Sequence, residues 1–524
     1  MHQGAGTNPP CCRTGTGAGR LSQRVLVTVA VMAATVMQVL DTTIVNVALP
    51  QMQGELGATS DQISWVLTSY LVASAICMPL TGYLTDKLGR RRYLLLSISG
   101  FVLASMLCGV ALNLGQLVVF RLLQGVFGAA LVPLSQAIMV DNYPREQRGK
   151  AMAIWGMGVM VGPIAGPTLG GWLTDMFDWR WTFFINLPVG LLSLLLARQV
   201  PDTPKRERDI DWLGLLLISL AIGGIQYVLD RGNGDDWFSS TGIVVASVLA
   251  VLGAVGFIWR GLSGSAHPLF DLHMFQDRNF VAASIVIAAL GLSMYGAMVI
   301  QPIMLEGLFH YPTLDTGLIM APRGMASLVS MMIVGKLIGR VDSRYLIGSG
   351  LLIGACGTWV CTHYNLDTSP FWFAWPVLLQ GFGLGMIYVP LSAMAMSTLP
   401  ARLSAEAAGL FSLLRTMGSS VGIAIVSTAY SRGEQSAWNA LSGFFSADNP
   451  WLQDYLARMG KTVVDGTTAT QLAAELQRQA LMVSIVDVYW LITYSFLAML
   501  PLLLLLRPRK AAADAPAVEV VMHE

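Results

Sequence analysis

The sequence predicts an all-α polytopic membrane protein, in which two six-helix bundles flank two inserted transmembrane helices. Of its 524 residues, 54% are hydrophobic and only 12% are charged, whereas about a quarter of the residues in soluble domains are charged. Fourteen apolar runs are each long enough to cross a bilayer as a helix. Part of a basic loop motif recurs in the second half of the chain, as expected of a fold built from repeats.

The predicted spans define the domain organisation. In chain order they cover 27–49, 63–83, 93–112, 115–139, 151–173, 181–198, 212–230, 241–260, 280–304, 315–339, 344–363, 373–397, 404–430 and 484–506. The predicted domains are an N-terminal tail (1–26), a first bundle (27–211), the inserted helices (212–260), a second bundle (261–510) and a C-terminal tail (511–524).

The second bundle includes one long external segment at 431–483, where the other connections are short. Residues 470–479 have the composition of a helix, and a structureless loop of this length is unusual in a compact fold. We therefore expect an ordered external element, which is either a cap over the helix ends or a docking surface.

The distribution of lysine and arginine predicts the orientation in the membrane. Basic residues concentrate in the N-terminal tail and in every second connection, including 87–92 and 198–208. The short loops on the other side contain only Arg180 and Arg231. Because cytoplasmic loops are enriched in lysine and arginine, we expect both termini in the cytoplasm.

Charge and residue usage argue against several other classes of protein. A net charge of +1 provides no basic surface for a nucleic-acid partner. The six cysteines form no C-x-x-C pair and the six histidines are scattered, so neither a disulfide framework nor a metal site is predicted. We find no nucleophile–base pairing and no phosphate-binding loop. An enzyme or receptor is therefore disfavoured, and no cofactor is expected.

An aspartate, Asp41, lies within the first predicted span. An ionised carboxylate in hydrocarbon is costly, so residues of this kind usually face a polar cavity and take part in function. Asp41 is therefore either a structural carboxylate held by a neighbouring hydroxyl or arginine, or a carboxyl that exchanges protons near neutral pH because burial disfavours its charged form.

Arg121 in the fourth span is a potential partner of Asp41. At 1.5 Å per helical residue, Asp41 lies roughly 12 Å and Arg121 roughly 9 Å from the outer ends of their spans. An arginine within a span requires a carboxylate, carbonyl or water partner. The similar depths predict that the two side chains pair directly or share a water.

A basic motif connects the second and third spans. Its key residues are Gly82, Asp86, Gly89, Arg90 and Arg91. Part of it returns at 335–344, without the full G-x-L-x-D order of the first copy. The spacing G-x-L-x-D-x-x-G-R-R resembles the major facilitator superfamily. The resemblance implies that this loop latches the two helical halves in one state, and the incomplete second copy makes a second latch less well supported.

The fifth span contains glycines at four-residue intervals, interrupted by two prolines. The residues are Gly158, Gly162, Pro163, Gly166, Pro167, Gly170 and Gly171. Glycines four apart line one helix face and allow another helix to approach closely. The full pattern is similar to the antiporter motif of the same superfamily, and it disfavours a symporter.

Further motifs narrow the resemblance to the EmrB/QacA-like drug:proton antiporters, over nearly the whole chain. They comprise the run L-D-x-T-I-V-N-V-A-L-P at 40–50, an R-x-x-x-G-x-x-x-A pattern that begins at Arg121, and the segments 179–188 and 229–232, which are similar to the EmrB branch. The family's arginine at the position of Arg121 is implicated in proton coupling. The resemblance implies the same role here, together with Asp41.

Four other polar residues within spans are candidates for the substrate pathway: Gln38, Asn46, Arg323 and Arg415. Each of the two arginines either neutralises a buried carboxylate or lines the pathway and tunes substrate charge. For Arg415 we expect the carboxylate partner, and for Arg323 both alternatives remain open.

The resulting functional hypothesis is proton-driven export of hydrophobic or amphipathic compounds across a bacterial inner membrane. The resemblance to the EmrB branch also implies a periplasmic membrane-fusion adaptor and an outer-membrane channel as partners in a tripartite pump. The alternative is a proton-linked facilitator or symporter of small solutes on the same fold. It is disfavoured by the glycine and proline pattern of the fifth span.

Overall fold

A computed structural model describes residues 17–144, 147–205, 211–263, 272–400, 403–445, 449–458 and 466–506. Nearly all of these residues are helical. Most of the N-terminal tail, the whole C-terminal tail and parts of the 198–208 linker and the 431–483 segment lie outside the described residues, as do the basic residues Arg145, Arg402 and Arg507 of the predicted cytoplasmic side.

Within the described residues, the first bundle contains nine helices. Their bounds are Gly17–Glu55 (α1), Ser60–Cys77 (α2), Leu80–Leu88 (α3), Arg90–Gly109 (α4), Leu114–Gly128 (α5), Leu131–Asn142 (α6), Arg148–Met176 (α7), Trp181–Phe184 (α8) and Asn186–Ala197 (α9). The two inserted helices are Trp212–Arg231 (α10) and Thr241–Leu262 (α11).

The second bundle continues from Arg278. Its helices are Arg278–Pro302 (α12), Thr313–Leu337 (α13), Ser343–Cys361 (α14), Pro370–Ala395 (α15), Ser404–Ser442 (α16), Pro450–Arg458 (α17) and Gly466–Ala498 (α18). A short π-helix, Ile303–Leu308, directly follows α12.

The helices are consistent with the predicted spans, although the total of fourteen is not confirmed. Within the described residues, twelve are long and apolar enough to cross a membrane, and the bent pair α2–α3 raises the number to thirteen. The predicted span at 181–198 is present as a shorter apolar helix, Trp181–Ala197. The described chain therefore has the architecture of a multi-pass, all-α membrane protein.

Three predicted spans, 63–83, 404–430 and 484–506, have different bounds in the structure. Pro79 cannot donate a backbone hydrogen bond, and the chain bends by 61° between α2 and α3 at this point. Residues 431–442 continue α16, and residues 466–483 form the first half of α18. The helix predicted at 470–479 is therefore present, as an extension of the last span.

The two bundles meet along α7. It packs against α1 in its own bundle and against α13 and α15 of the other. A second contact between the bundles joins α3 and α6 to α16. We call the end that carries Lys87, Arg90 and Lys336 the basic end. At that end a Cβ on Gly82 would lie 2.7 Å from Glu406 Cβ, so the bundles are in close contact there.

The inserted helices form a pair at the edge of the first bundle. α10 packs against α11, α2 and α16. Thr68 of α2 donates a hydrogen bond to Asp230 of α10 at 2.6 Å. At the start of α10, the Asp211 carboxylate accepts the Gly214 backbone N–H and pairs with Arg260 of α11 at 2.8 Å. Through α10, the pair therefore contacts both bundles, at α2 of the first and α16 of the second.

Candidate functional site

The Asp41 carboxylate lies in the interior of the first bundle and accepts three hydrogen bonds from two other helices, α5 and α9. Arg121 Nη1 donates to Oδ2 at 2.7 Å. Gln124 Nε2 and Asn186 Nδ2 donate to Oδ1 at 2.9 and 2.8 Å. Asp41, Arg121 and Gln124 are completely buried. This geometry satisfies an ionised carboxylate, which can only accept hydrogen bonds.

The Arg121 guanidinium makes further contacts that fix its position. Its Nε donates to the Val66 carbonyl of α2 at 3.0 Å, and Nη1 also donates to Gln124 Oε1 at 2.8 Å. Its Cζ lies 4.4 Å from the centroid of the Tyr70 ring, which gives a cation–π contact. Arg121 therefore links α1, α2 and α5 through one buried charge.

Asn186 connects the Asp41 centre to α4 and α8. Its Nδ2 also donates to Ser105 Oγ at 2.9 Å, and Ser105 Oγ donates to the Phe183 carbonyl at the same distance. Asn186 begins α9 directly after the segment 179–185. The segment 179–188, noted in the sequence, therefore positions an amide beside the carboxylate.

These contacts determine what the centre can do chemically. Protonation of Asp41 removes its charge and converts one acceptor oxygen into a donor. The ion pair with Arg121 is then lost, and a buried arginine is left without a counter-charge, which is unfavourable. Gain or loss of one proton at Asp41 therefore changes the free energy that holds α1 against α2, α5 and α9.

The sequence predicted part of this centre. The contact between Asp41 and Arg121, expected from their depths, is confirmed. Gln124, Asn186 and Tyr70 were missed. Gln124 lies three residues after Arg121, so it shares a helix face with the arginine, and this spacing was an available signal. Asn186 and Tyr70 come from distant segments, and no sequence spacing relates them to Asp41.

The motif between the second and third spans lies at the contact between the bundles. Arg90 Nη2 donates to Asp141 Oδ2 at 2.7 Å, and Ser404 Oγ, at the start of α16, donates to the same oxygen at 3.0 Å. Arg91 lies 3.7 Å from Asp202. Asp86 is partly buried in α3, one turn before Gly89. The sequence did not reveal Asp141 and Ser404, which complete this cluster.

Gly89 joins α3 to α4 with a backbone φ of +83°, a region that side chains other than glycine rarely adopt. The chain turns here so that Arg90 begins α4. In the second copy of the motif, Gly339 has a φ of +91°, and Asp342 caps α14 by accepting the Arg344 backbone N–H. Within the described part of the chain, no ion pair comparable to Arg90–Asp141 is found at this second copy.

The glycine face of α7 packs against α1, beside Asp41. A Cβ on Gly162 would lie 2.7 Å from the Val39 backbone, and one on Gly166 would lie 2.1 Å from Thr43 Oγ1. Thr43 donates to the Gly162 carbonyl at 3.0 Å. Gly158 and Gly170 also contact α1, whereas a Cβ on Gly171 would meet only Val47, at 3.9 Å. Pro163 and Pro167 lie inside α7 without ending it.

Arg323 lies in a second polar cluster, in the second bundle. Its Nη2 donates to Gln301 Oε1 at 2.6 Å and to Gln380 Oε1 at 2.7 Å. Arg415 donates to the Tyr388 hydroxyl at 2.5 Å, and Tyr388 stacks on Trp155 of α7 with ring centroids 5.8 Å apart. A carboxylate partner was expected for Arg415, and none is found among the described residues. The observed partner is the phenol of Tyr388.

The other two pathway candidates, both on α1, have different surroundings. Gln38 is buried and donates to the Tyr70 hydroxyl at 2.9 Å, so it lies behind the ring that contacts Arg121. Asn46 is exposed on α1. Gln38 therefore supports the buried Asp41 centre, and Asn46 lies at the surface of the same helix.

Comparisons with known proteins agree with this architecture. Residues 31–423 match the family model described as Major Facilitator Superfamily. The chain is 35% identical over 492 residues to the multidrug export protein EmrB of Escherichia coli K12, covering 93% of this chain and 96% of that protein. It is 34% identical over 489 residues to the EmrB of Haemophilus influenzae, covering 92% and 96%.

Solved structures show the same fold. The proton:xylose symporter XylE superposes with a TM-score of 0.61 at 14% identity, over 94% of this chain and 98% of that chain. Such low identity carries information on the fold alone. The family match and the membrane-spanning helices indicate a transporter rather than an enzyme. By its sequence and its helical architecture, the chain belongs to the Major Facilitator Superfamily.

Proposed function

We propose that this protein exports hydrophobic or amphipathic compounds across a bacterial inner membrane in exchange for protons. The observation that carries the proposal is the buried Asp41 carboxylate, which accepts hydrogen bonds from Arg121, Gln124 and Asn186. The relatives named multidrug export proteins support the same substrate class, because the similarity extends over more than nine-tenths of the chain.

Asp41 carries the proton in the proposed cycle. The carboxyl becomes protonated from the outside and releases its proton to the cytoplasm. Substrate binds after deprotonation and leaves after reprotonation. A membrane potential of 100 mV provides about 2.3 kcal/mol per charge, which supports roughly a fifty-fold substrate gradient per proton.

The contact between the bundles at the basic end stabilises one conformation of this cycle. Gly82 packs on Glu406, and Arg90, Asp141 and Ser404 form one polar cluster. If the basic end is cytoplasmic, as the positive-inside rule predicts, the present conformation is closed towards the cytoplasm. Release of the Arg90–Asp141 contact then accompanies opening to that side.

The external part of α16 and α18 is the proposed contact with a periplasmic adaptor of the membrane-fusion type, which would lead to an outer-membrane channel. Glu434 of α16 and Gln477 of α18 are hydrogen-bonded, and Ser484 donates to the Tyr430 carbonyl at 2.6 Å. These hydrogen bonds hold the extensions of α16 and α18 together as a helix pair that continues past the predicted spans. A pair of hydrogen-bonded helices supports a docking role better than a loose loop would.

Purified protein in proteoliposomes provides the test. A pH gradient imposed across the vesicle membrane is expected to drive accumulation of a lipophilic dye such as ethidium. Collapse of the gradient with a protonophore should abolish accumulation. Addition of substrate to the purified protein should also release protons into weakly buffered solution.

A symporter would give the opposite relation between the proton gradient and the gradient of the dye. Dye or solute would then move in the same direction as protons. Gradient-independent equilibration of small solutes would indicate a facilitator. Either result would contradict the proposed exchange.

A further inference from the structure

The second bundle contains a polar centre that resembles the Asp41 centre but has no carboxylate among the described residues. Both α5 and α15 contain the sequence Leu-Leu-Gln-Gly, at 122–125 and 378–381. In each helix the glutamine of this tetrapeptide contacts an arginine: Gln124 contacts Arg121, and Gln380 contacts Arg323. In the first bundle both side chains also donate to Asp41.

The glutamine amide oxygens of the second centre are occupied, while several hydrogen-bond donors are not. Arg323 Nη2 uses the carbonyl oxygens of both Gln301 and Gln380. Arg323 Nε and Gln301 Nε2 are buried and have no hydrogen-bond partner. The hydroxyl of Tyr489, which interacts electrostatically with Arg323, is also buried and unpaired. Gln301 and Tyr489 are each 1% exposed. The centre therefore has an excess of donors, next to a positive charge.

Free donors beside a positive charge favour one kind of ligand group. A carboxylate has no donor, accepts up to four hydrogen bonds and can bind a guanidinium with both oxygens. A buried arginine without a counter-charge is costly, and an anionic ligand removes that cost. In the first bundle the side chain of Asp41 supplies the carboxylate.

We propose that the centre formed by Arg323, Gln301, Gln380 and Tyr489 binds the carboxylate of an exported organic acid. This inference rests on the proposed export function and specifies a substrate class for it: hydrophobic compounds that carry an ionised acid group.

The position of Arg323 agrees with such a role. Arg323 is partly exposed as a residue, although its Nε is buried. The next residue, Gly324, packs against Ile164 of α7, which belongs to the first bundle. The guanidinium therefore lies close to the interface between the two bundles. A ligand between the bundles can reach Arg323 with its head group and keep its apolar part against apolar helix faces.

Arg415 provides an internal comparison. It is also a span arginine whose partner, among the described residues, is not a carboxylate, but none of its nitrogens is among the unpaired buried atoms of the described chain. Its partner Tyr388 lies eight residues after Gln380 on α15, about 12 Å along the helix. Substitution of Arg415 therefore removes a similar charge without changing the donors at Arg323.

A binding experiment on purified protein in detergent tests the inference. The probes are a dansyl-labelled undecanoate and its primary amide, which has the same size but no charge. Dansyl fluorescence reports binding, because it rises in an apolar site. The wild-type protein is expected to bind the acid at least about tenfold more tightly than the amide, as charge-assisted hydrogen bonds predict.

Arg323→Gln is expected to weaken binding of the acid by about 10- to 100-fold and to change binding of the amide by less than about threefold. Arg323→Lys keeps the charge and should retain part of the preference for the acid. Arg415→Gln should retain most of it. Equal affinities for acid and amide in the wild-type protein would overturn the inference, as would equal losses in Arg323→Gln and Arg415→Gln.

The experiment is independent of the proposed proton exchange, since no gradient is present. If gradient-driven export is absent while Arg323 still selects the acid, the proposed function fails and the binding site stands. If ethidium is exported normally in proteoliposomes but the acid is not preferred, the binding site fails and the function stands.

Discussion

Arg121 Nη1 lies 2.7 Å from Asp41 Oδ2, and both side chains are at most 1% exposed. A buried ion pair of this kind is costly to form, and removing one partner is more costly still. A single proton gained at Asp41 would therefore alter the contacts among four helices, α1, α2, α5 and α9.

Asp41→Asn is expected to abolish pH-driven export while leaving insertion and folding intact. Asparagine keeps the size of the side chain but cannot exchange a proton in the physiological range. Dye accumulation in proteoliposomes is the measurement, and the elution profile of the purified variant controls for folding. Export at the wild-type rate would show that the proton is carried elsewhere.

Arg121→Ala is expected to impair coupling and to shift the pH profile of transport towards higher pH. Loss of a neighbouring positive charge favours the protonated form of a carboxyl group. The pH dependence of initial transport rates, measured from pH 5 to 9 in steps of about half a unit, checks the shift. An unchanged profile would remove Arg121 from proton coupling.

Gly162→Ala is expected to reduce transport, and Gly171→Ala is the matched control on the same helix. The new Cβ would lie 2.7 Å from the Val39 backbone at Gly162, but 3.9 Å from the nearest atom at Gly171. Overpacking of this kind costs about 1–3 kcal/mol. Leucine at Gly162 or Gly166 should be more damaging. Thermal stability and transport are measured for each variant, and equal behaviour of the two alanine variants would contradict the packing of α7 on α1.

Asp211 is expected to stabilise the inserted helix pair at neutral pH and to lose this effect in acid. Burial alone would raise the pKa of Asp211, but the hydrogen bonds from Arg260 and from the Gly214 N–H, together with attraction to Arg260, hold that pKa below its usual value. A lowered pKa in the folded state stabilises the protein above about pH 4, and the contribution disappears as the pH falls through the folded-state pKa.

Comparison with Asp211→Asn measures this contribution. The variant should melt at a lower temperature than the wild-type protein at pH 7, and the difference should shrink as the pH is lowered towards 3. A difference in melting temperature that is constant with pH would show that the Asp211 charge does not contribute.

Replacement of residues 449–479 by a short Gly/Ser linker is expected to separate resistance in whole cells from transport in proteoliposomes. The deletion removes α17 and the outer part of α18, including Gln477, which pairs with Glu434. Loss of adaptor docking should abolish resistance, whereas the Asp41 centre and its transport activity should remain.

A smaller replacement, of residues 449–465, keeps the Glu434–Gln477 contact and serves as the matched control. If the control retains resistance, docking is assigned to the paired ends of α16 and α18. If the control loses resistance, docking is assigned to α17 and its flanking residues. Recovery of an adaptor with the 449–479 variant at the wild-type yield would eliminate the docking role. Loss of proteoliposome transport would favour a lid over the helix ends.

The sequence determined the features that depend on local composition and spacing. Long apolar runs require helices because an unpaired backbone group in lipid is costly, so the membrane architecture could be predicted without a structure. The glycine face of α7 could be predicted in the same way, because four-residue spacing places residues on one side of a helix. The pairing of Asp41 with Arg121 followed from depth, which is linear in residue number along a helix.

The tertiary structure decided which distant residues meet. Asn186 reaches Asp41 from the beginning of α9, and Asp141 and Ser404 meet Arg90 from two different bundles. The partners of Arg323 and Arg415 also could not be predicted: both arginines bind neutral side chains, although a carboxylate was expected for Arg415. Contacts between helices depend on the rotation and crossing of each helix pair, which the packing of the whole bundle sets and the local sequence does not.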